Sequence, residues 1–239
     1  MTWQLFVGVS ILLYSVNALL HRILMKEADS DPYAQTIAFY GLVGLFAFFI
    51  AVFRDGFQYR IPPDLFPYFI IITIFAALTS VLGFRSIQLI EASESSILGS
   101  TSRIWVLFGA FIFLKEEFSI NKLVGTFLIL ISVIVVQWKN KRFVINEGII
   151  FAVLASISFA ITETASYYIL RKFDATSFAV YTNWLPVIAF LFIRPKSFKR
   201  LTFYLKRKNA FNILLVSASD VFASLFRLKC QKELLSITH

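Results

Sequence analysis

The sequence predicts an all-α fold: a polytopic helical membrane protein with about eight transmembrane helices. Three observations lead there. Of 239 residues, 58% are hydrophobic and only 15% charged, against roughly 45–50% and 25% in soluble domains. Apolar runs of roughly 18 residues, enough to cross ~30 Å of hydrocarbon, recur along the chain. Turn-forming residues and most of the charge fall between those runs.

The spans cover approximately 4–24, 34–53, 66–89, 94–114, 121–138, 147–170, 176–193 and 209–228. The first has no basic lead-in, since the chain starts Met1-Thr2-Trp3-Gln4, and no small-residue cleavage site follows. It is therefore expected to stay as a helix. Asp31-Pro32, Asp55-Gly56, Pro62-Pro63, Asn121, Asn146 to Gly148 and Arg194-Pro195 separate the others. The link near Ile90 to Ser93 is short enough to make spans three and four an antiparallel hairpin.

The net charge of +9 does not imply a nucleic-acid partner. Most Lys and Arg lie between spans, where anchoring to the lipid bilayer puts them. Arg194, Lys196, Lys199, Arg200, Lys206, Arg207 and Lys208 crowd one loop, which by the positive-inside effect argues for an outside N-terminus. Cys230 is alone, so neither an internal disulfide nor a cysteine metal site is expected. No phosphate-cradling glycine loop, H-E-x-x-H or Ser-His-Asp set is present, and neither enzyme chemistry nor a cofactor is expected.

A weak internal repeat runs through the chain. Ile23-Leu24-Met25-Lys26 aligns with Ile169-Leu170-Arg171-Lys172, Asp31 with Asp174, and Phe84-Arg85 with Phe226-Arg227. Spans one to three thereby correspond to spans six to eight. Five helices per copy is an odd number, so the second copy must insert upside down. The expected organisation is a five-helix repeat over 1–142 and an incomplete second copy of three helices over 143–239.

The stretch Phe84 to Val136 carries the most specific pattern. Small polar residues, Ser93 to Ser102, lead into the apolar run Ile97–Leu114, then a charged turn, Lys115-Glu116-Glu117, then the run Leu123–Val136. This layout resembles the EamA-type permeases of the drug/metabolite transporter superfamily, with their small-residue lead-in, Gly-Glu turn and helix with two glycines seven apart. Glu116 and Gly125 match that pattern. Lys115 and Ser132 replace its glycines, and Arg103 stands where the family usually has proline. The resemblance implies an inverted repeat, an inside N-terminus and a bacterial cytoplasmic membrane. A member of usual build has two more helices, so a shortened chain or a truncated reading of a ten-helix protein is expected.

Ionisable side chains inside spans are costly and mark pathways or sites. Ser10, Tyr14, Asn17 and His21 share one face of the first span, and Ser156, Ala160, Glu163 and Tyr167 share one of the sixth. The repeat makes Asn17 and Glu163 equivalent. Small multidrug relatives in the superfamily carry a proton-exchanging glutamate in their first helix, a role the resemblance extends to Glu163. The plainer role is an interfacial or packing acid. Arg103 costs roughly 2.5–3.5 kcal/mol at mid-span. It would contact a substrate anion or pair with Glu163 or Asp220. Asp220 shares a polar face with Ser217, Ser224 and Arg227. Trp184 belongs to an interfacial belt or, with Tyr181 and Ser177, to a cavity wall. His21 reads as a hydrogen-bonded packing residue.

These readings favour a secondary transporter of a small organic metabolite or amphipathic compound, working by alternating access with protons as one coupling ion. A non-transporting fragment or assembly subunit, and a membrane-embedded lipid-modifying enzyme, are the alternatives. Whether two copies associate as a homodimer, and which small-molecule substrate is moved, are left open by the sequence.

Overall fold

The computed structural model describes residues 2–27, 30–114 and 146–237, together with 120, 124–128, 131 and 135. Among them all regular structure is helical. The helices are α1 (Thr2–Met25), α2 (Pro32–Ile50), α3 (Phe66–Leu89), α4 (Ala92–Ser100), α5 (Ser102–Leu114), α6 (Glu147–Leu170), α7 (Ala175–Ile193), the short α8 (Lys196–Lys199) and α9 (Thr202–Leu205), and α10 (Arg207–Ile237). The boundary expected at 142/143, the turn residues Lys115 to Glu117, Ser132 and most of span five lie outside the described residues, although Gly125 is helical.

Local chemistry sets the helix starts. The Asp31 carboxylate accepts from Tyr33 N at 2.9 Å, with Pro32 opening α2. Asp174 accepts from Ser177 N at 2.7 Å at the head of α7. The two aspartates aligned by the repeat thus cap corresponding helices. Asn146 caps α6 through Ile149 N at 2.9 Å. α2 runs into a π turn, Ala51–Asp55, and stops at Gly56, whose φ of +75° suits glycine. Within α7, buried Pro186 has no N–H to return to the carbonyl four residues earlier.

One expectation is corrected. The fourth span is not one helix over 94–114. It breaks at Thr101, where the chain tightens to Thr101 N donating to Leu98 O at 3.1 Å. Ser100 Oγ and Thr101 Oγ1 also donate to Ile97 O and Leu98 O, both at 2.6 Å. Hydroxyls occupying those carbonyls favour the break. The eighth span lies inside α10, which continues as helix to Ile237.

Three antiparallel pairs build the bundle: α1 with α10, α2 with α7, and α3 with α6. Asn17 meets Asp220 and Asn209 meets Glu27 in the first pair. In the second, Tyr33 meets Phe190, and Trp184 lies in a notch at Gly44, where an added Cβ would overlap its indole. In the third, Tyr68 stacks on Tyr168 at 5.2 Å, while Gly148 lets α6 start against Leu89 and Ile90. Helices α3 and α10 consequently run in opposite directions.

One end of the bundle gathers the α1–α2 loop and the basic segment, joined by Arg200–Asp31 at 3.2 Å and by Arg194 over the Tyr33 ring at 4.3 Å. The other end carries Lys172–Asp64 at 2.7 Å. There Ser177 Oγ accepts from Gln58 N at 2.9 Å, and Tyr181 OH donates to Tyr59 O at 3.0 Å.

Pro32–Phe53, Pro63–Leu89, Glu147–Leu170 and Ala175–Ile193 are long and apolar enough to cross a membrane; Leu12–Met25 and Asn209–Leu225 are shorter apolar helices, and Ile97–Phe113 is a shorter apolar stretch that runs across the break at Thr101. At most 39% of the apolar window of each long helix is buried by protein. The remaining apolar surface, Phe192 at 83% exposure among it, far exceeds the patches tolerated in water. The chain is an integral, multi-pass membrane protein.

Candidate functional site

Polar groups inside the bundle gather at two places. The first joins α1 and α10. Buried Asn17 donates from Nδ2 to Asp220 Oδ1 at 3.4 Å, and Ser219 Oγ donates to its Oδ1. Among the described residues both hydrogen bonds of that amide go to α10. The structure therefore sets Asn17 against Asp220. Tyr40 OH donates to Ala76 O at 3.2 Å and lies 2.6 Å from Ser80 Oγ, both on α3. Those contacts join α2 to α3. Tyr14 stands half-buried one turn before Asn17 on α1.

The second place is a cavity of about 300 Å³ between α3, α4, α5 and α6. Thr79, Ser86, Ser95, Ser102, Arg103 and Ser156 supply its polar wall, and Gly83, Gly99, Ala152, Ala155 and Phe159 the rest. Arg103 makes no ion pair with Glu163 or Asp220 among the described residues. The break at Thr101 sets Ser102 and Arg103 in the first turn of α5 at this wall.

Glu163 is half-buried on α6 and engaged. Its neighbour Thr164 lies where a Cβ on Gly109 would fall, so α5 crosses α6 closely here. Trp184 is half-buried between α7 and α2. It stacks on Phe48 at 5.6 Å and donates from Nε1 to Gly41 O at 3.4 Å, locking α7 to α2. His21 packs edge-on to Phe39 at 4.7 Å, with Nδ1 3.1 Å from Gln35 Nε2.

Tyr40, Ser80, Ser86 and Ser219 have no signature in the sequence, because single hydroxyls are common in apolar helices and usually bond their own backbone. A hydroxyl repeating at helical spacing on α3 (Thr79, Ser86) is the one signal that could have pointed to the cavity.

No described group of three or more His, Cys, Asp or Glu residues could hold a metal ion. What remains is a helical bundle with apolar outer faces and two interior polar places, the build of a multi-pass membrane protein that handles a solute. The chain belongs to the EamA-like transporter family, which it matches over residues 1–138. The match includes Tyr14, Asn17 and Arg103; Glu163, Trp184 and Asp220 lie beyond it. No curated protein matches the sequence.

Proposed function

We propose that the protein is a secondary transporter that moves a small organic solute across a bacterial cytoplasmic membrane by alternating access, with Glu163 as the proton-coupling residue. The observation that carries this reading is the set of ionisable groups held inside the bundle, Asp220 against Asn17 and Glu163 on α6. Such groups are expensive in hydrocarbon and persist where a pathway uses them. A carboxylate inside the bundle can take a proton from one side and release it to the other.

The helix pairing supports an inverted repeat over 1–142 and 143–239. Exchanging α1 with α6 and α3 with α10 by a half-turn converts the α1–α10 pair into the α6–α3 pair. It also returns α2–α7 to itself. Alternating access by rocking one repeat against the other needs this symmetry.

The test uses proteoliposomes with an internal pH dye and a panel of small organic solutes. Wild type is expected to show solute-driven proton flux, and Glu163→Gln to insert normally but lose it. A wild-type rate and pH dependence in Glu163→Gln would remove Glu163 from coupling. If Asp220→Asn alone lost the flux, the coupling role would move to Asp220.

A further inference from the structure

We propose that the cavity between α3, α4, α5 and α6 binds the anionic group of a small organic solute, with Arg103 as its counterion. The inference rests on the transporter reading and gives its substrate a class. Arg103 is the one charged residue among the described lining residues, and its side chain is exposed rather than packed away. A guanidinium inside a membrane bundle needs an anion or water beside it. None of the described wall residues supplies the anion.

Two further observations point to a ligand. Ser86 is fully buried at this wall, and its hydroxyl has no hydrogen-bond partner among the described residues. An unmade hydrogen bond of this kind is costly unless a guest completes it. The wall also stands back from real space. A Cβ added at Gly83 or Gly99 would meet nothing within 4 Å. Two other wall hydroxyls are committed: Ser156 Oγ lies 3.1 Å from Leu98 O and 2.9 Å from Ala152 O, and Thr79 Oγ1 donates to Phe75 O at 2.7 Å. The ligand would therefore find the Arg103 cation, the Ser86 hydroxyl and the positive end of α5, which begins at Ser102. Arginine's planar fork suits a carboxylate in two-point contact. The volume is at the small end of ligand pockets, roughly 300–1,000 Å³. This fits a solute headgroup and excludes a bulky amphiphile.

The experiment measures binding to purified protein in phosphatidylcholine nanodiscs, using benzoate and succinate against their neutral amides. The anions are expected to bind saturably, and the amides about tenfold more weakly or worse. Arg103→Gln should weaken the anions by about tenfold or more, the loss typical of a charge-assisted bond. Arg103→Lys should keep part of the affinity. Should Arg103→Gln fail to insert, Ser86→Ala carries the test with a several-fold loss, and Gly83→Leu with a block from filled space. Equal binding of anions and amides, or wild-type anion binding in Arg103→Gln, overturns the proposal. So does absence of saturable anion binding to wild type. Loss of solute binding when phosphatidylglycerol is added would assign the cavity to a lipid phosphate and likewise overturn it. Counterflow in proteoliposomes separates the two readings. Arg103-dependent binding without counterflow upholds the site and sinks the transporter reading. Counterflow of neutral solutes unaffected by Arg103→Gln, with no anion binding, does the reverse.

Discussion

Asn17 shows how one amide can join two distant helices. Its donor and acceptor are both used, by Asp220 and Ser219. Interhelical hydrogen bonds in membranes average about 0.6 kcal/mol and reach about 1.7 kcal/mol. Asn17→Leu is therefore expected to lower unfolding stability in detergent by about 1–3 kcal/mol, the upper part reflecting a carboxylate left without its donor. A variant as stable as wild type would show that the cluster does not hold α1 to α10. The sequence made Asn17 and Asp220 visible singly, as polar residues in apolar runs. It could not reveal that they meet across 203 positions, because a one-face pattern says which side of a helix is polar and not which helix it faces.

The glycines of α2 separate packing from propensity. Gly41 has open space at its Cβ position, while Gly44 is filled by the Trp184 indole. Gly41→Ala should be neutral or stabilising, by up to about 1 kcal/mol. Gly44→Ala must push the indole aside and should cost about 1–3 kcal/mol. Heat denaturation of both variants decides the matter, and equal effects would mean that the α2–α7 contact is loose. Two helix starts were legible, since Asp31-Pro32 and Asn146 to Gly148 stood out as breaks between apolar runs. The break at Thr101 was not. A run of serines, glycine and threonine reads as a small-residue helix face until the hydroxyls are seen to occupy the carbonyls of Ile97 and Leu98. The packing of Trp184 at Gly44 was likewise not legible, as indoles serve interfaces and packing notches alike.

At the scale of the molecule, the antiparallel pairs assign every described loop to one of two ends. Ser30 and Lys196 share one end, and Lys172 lies at the other. In a Cys230→Ser background, cysteines placed at Ser30 and Lys196 should react with an impermeant maleimide from the same side of sealed vesicles, and one at Lys172 from the opposite side. Labelling of all three from one side would contradict the bundle. The span pattern made the membrane class plain, and the odd-numbered repeat made opposed directions an expectation. The interleaving of the two halves came only with the fold. It has a consequence for how the protein is made. The partner of Asn17 is synthesised 203 residues later, and at about 5–20 residues per second that is a wait of roughly 10–40 s. Throughout it, the nascent first helix holds an unpaired amide in or beside the bilayer. Helix α1 must thus wait for a partner made much later, and its biogenesis depends on whatever shelters that amide until α10 emerges.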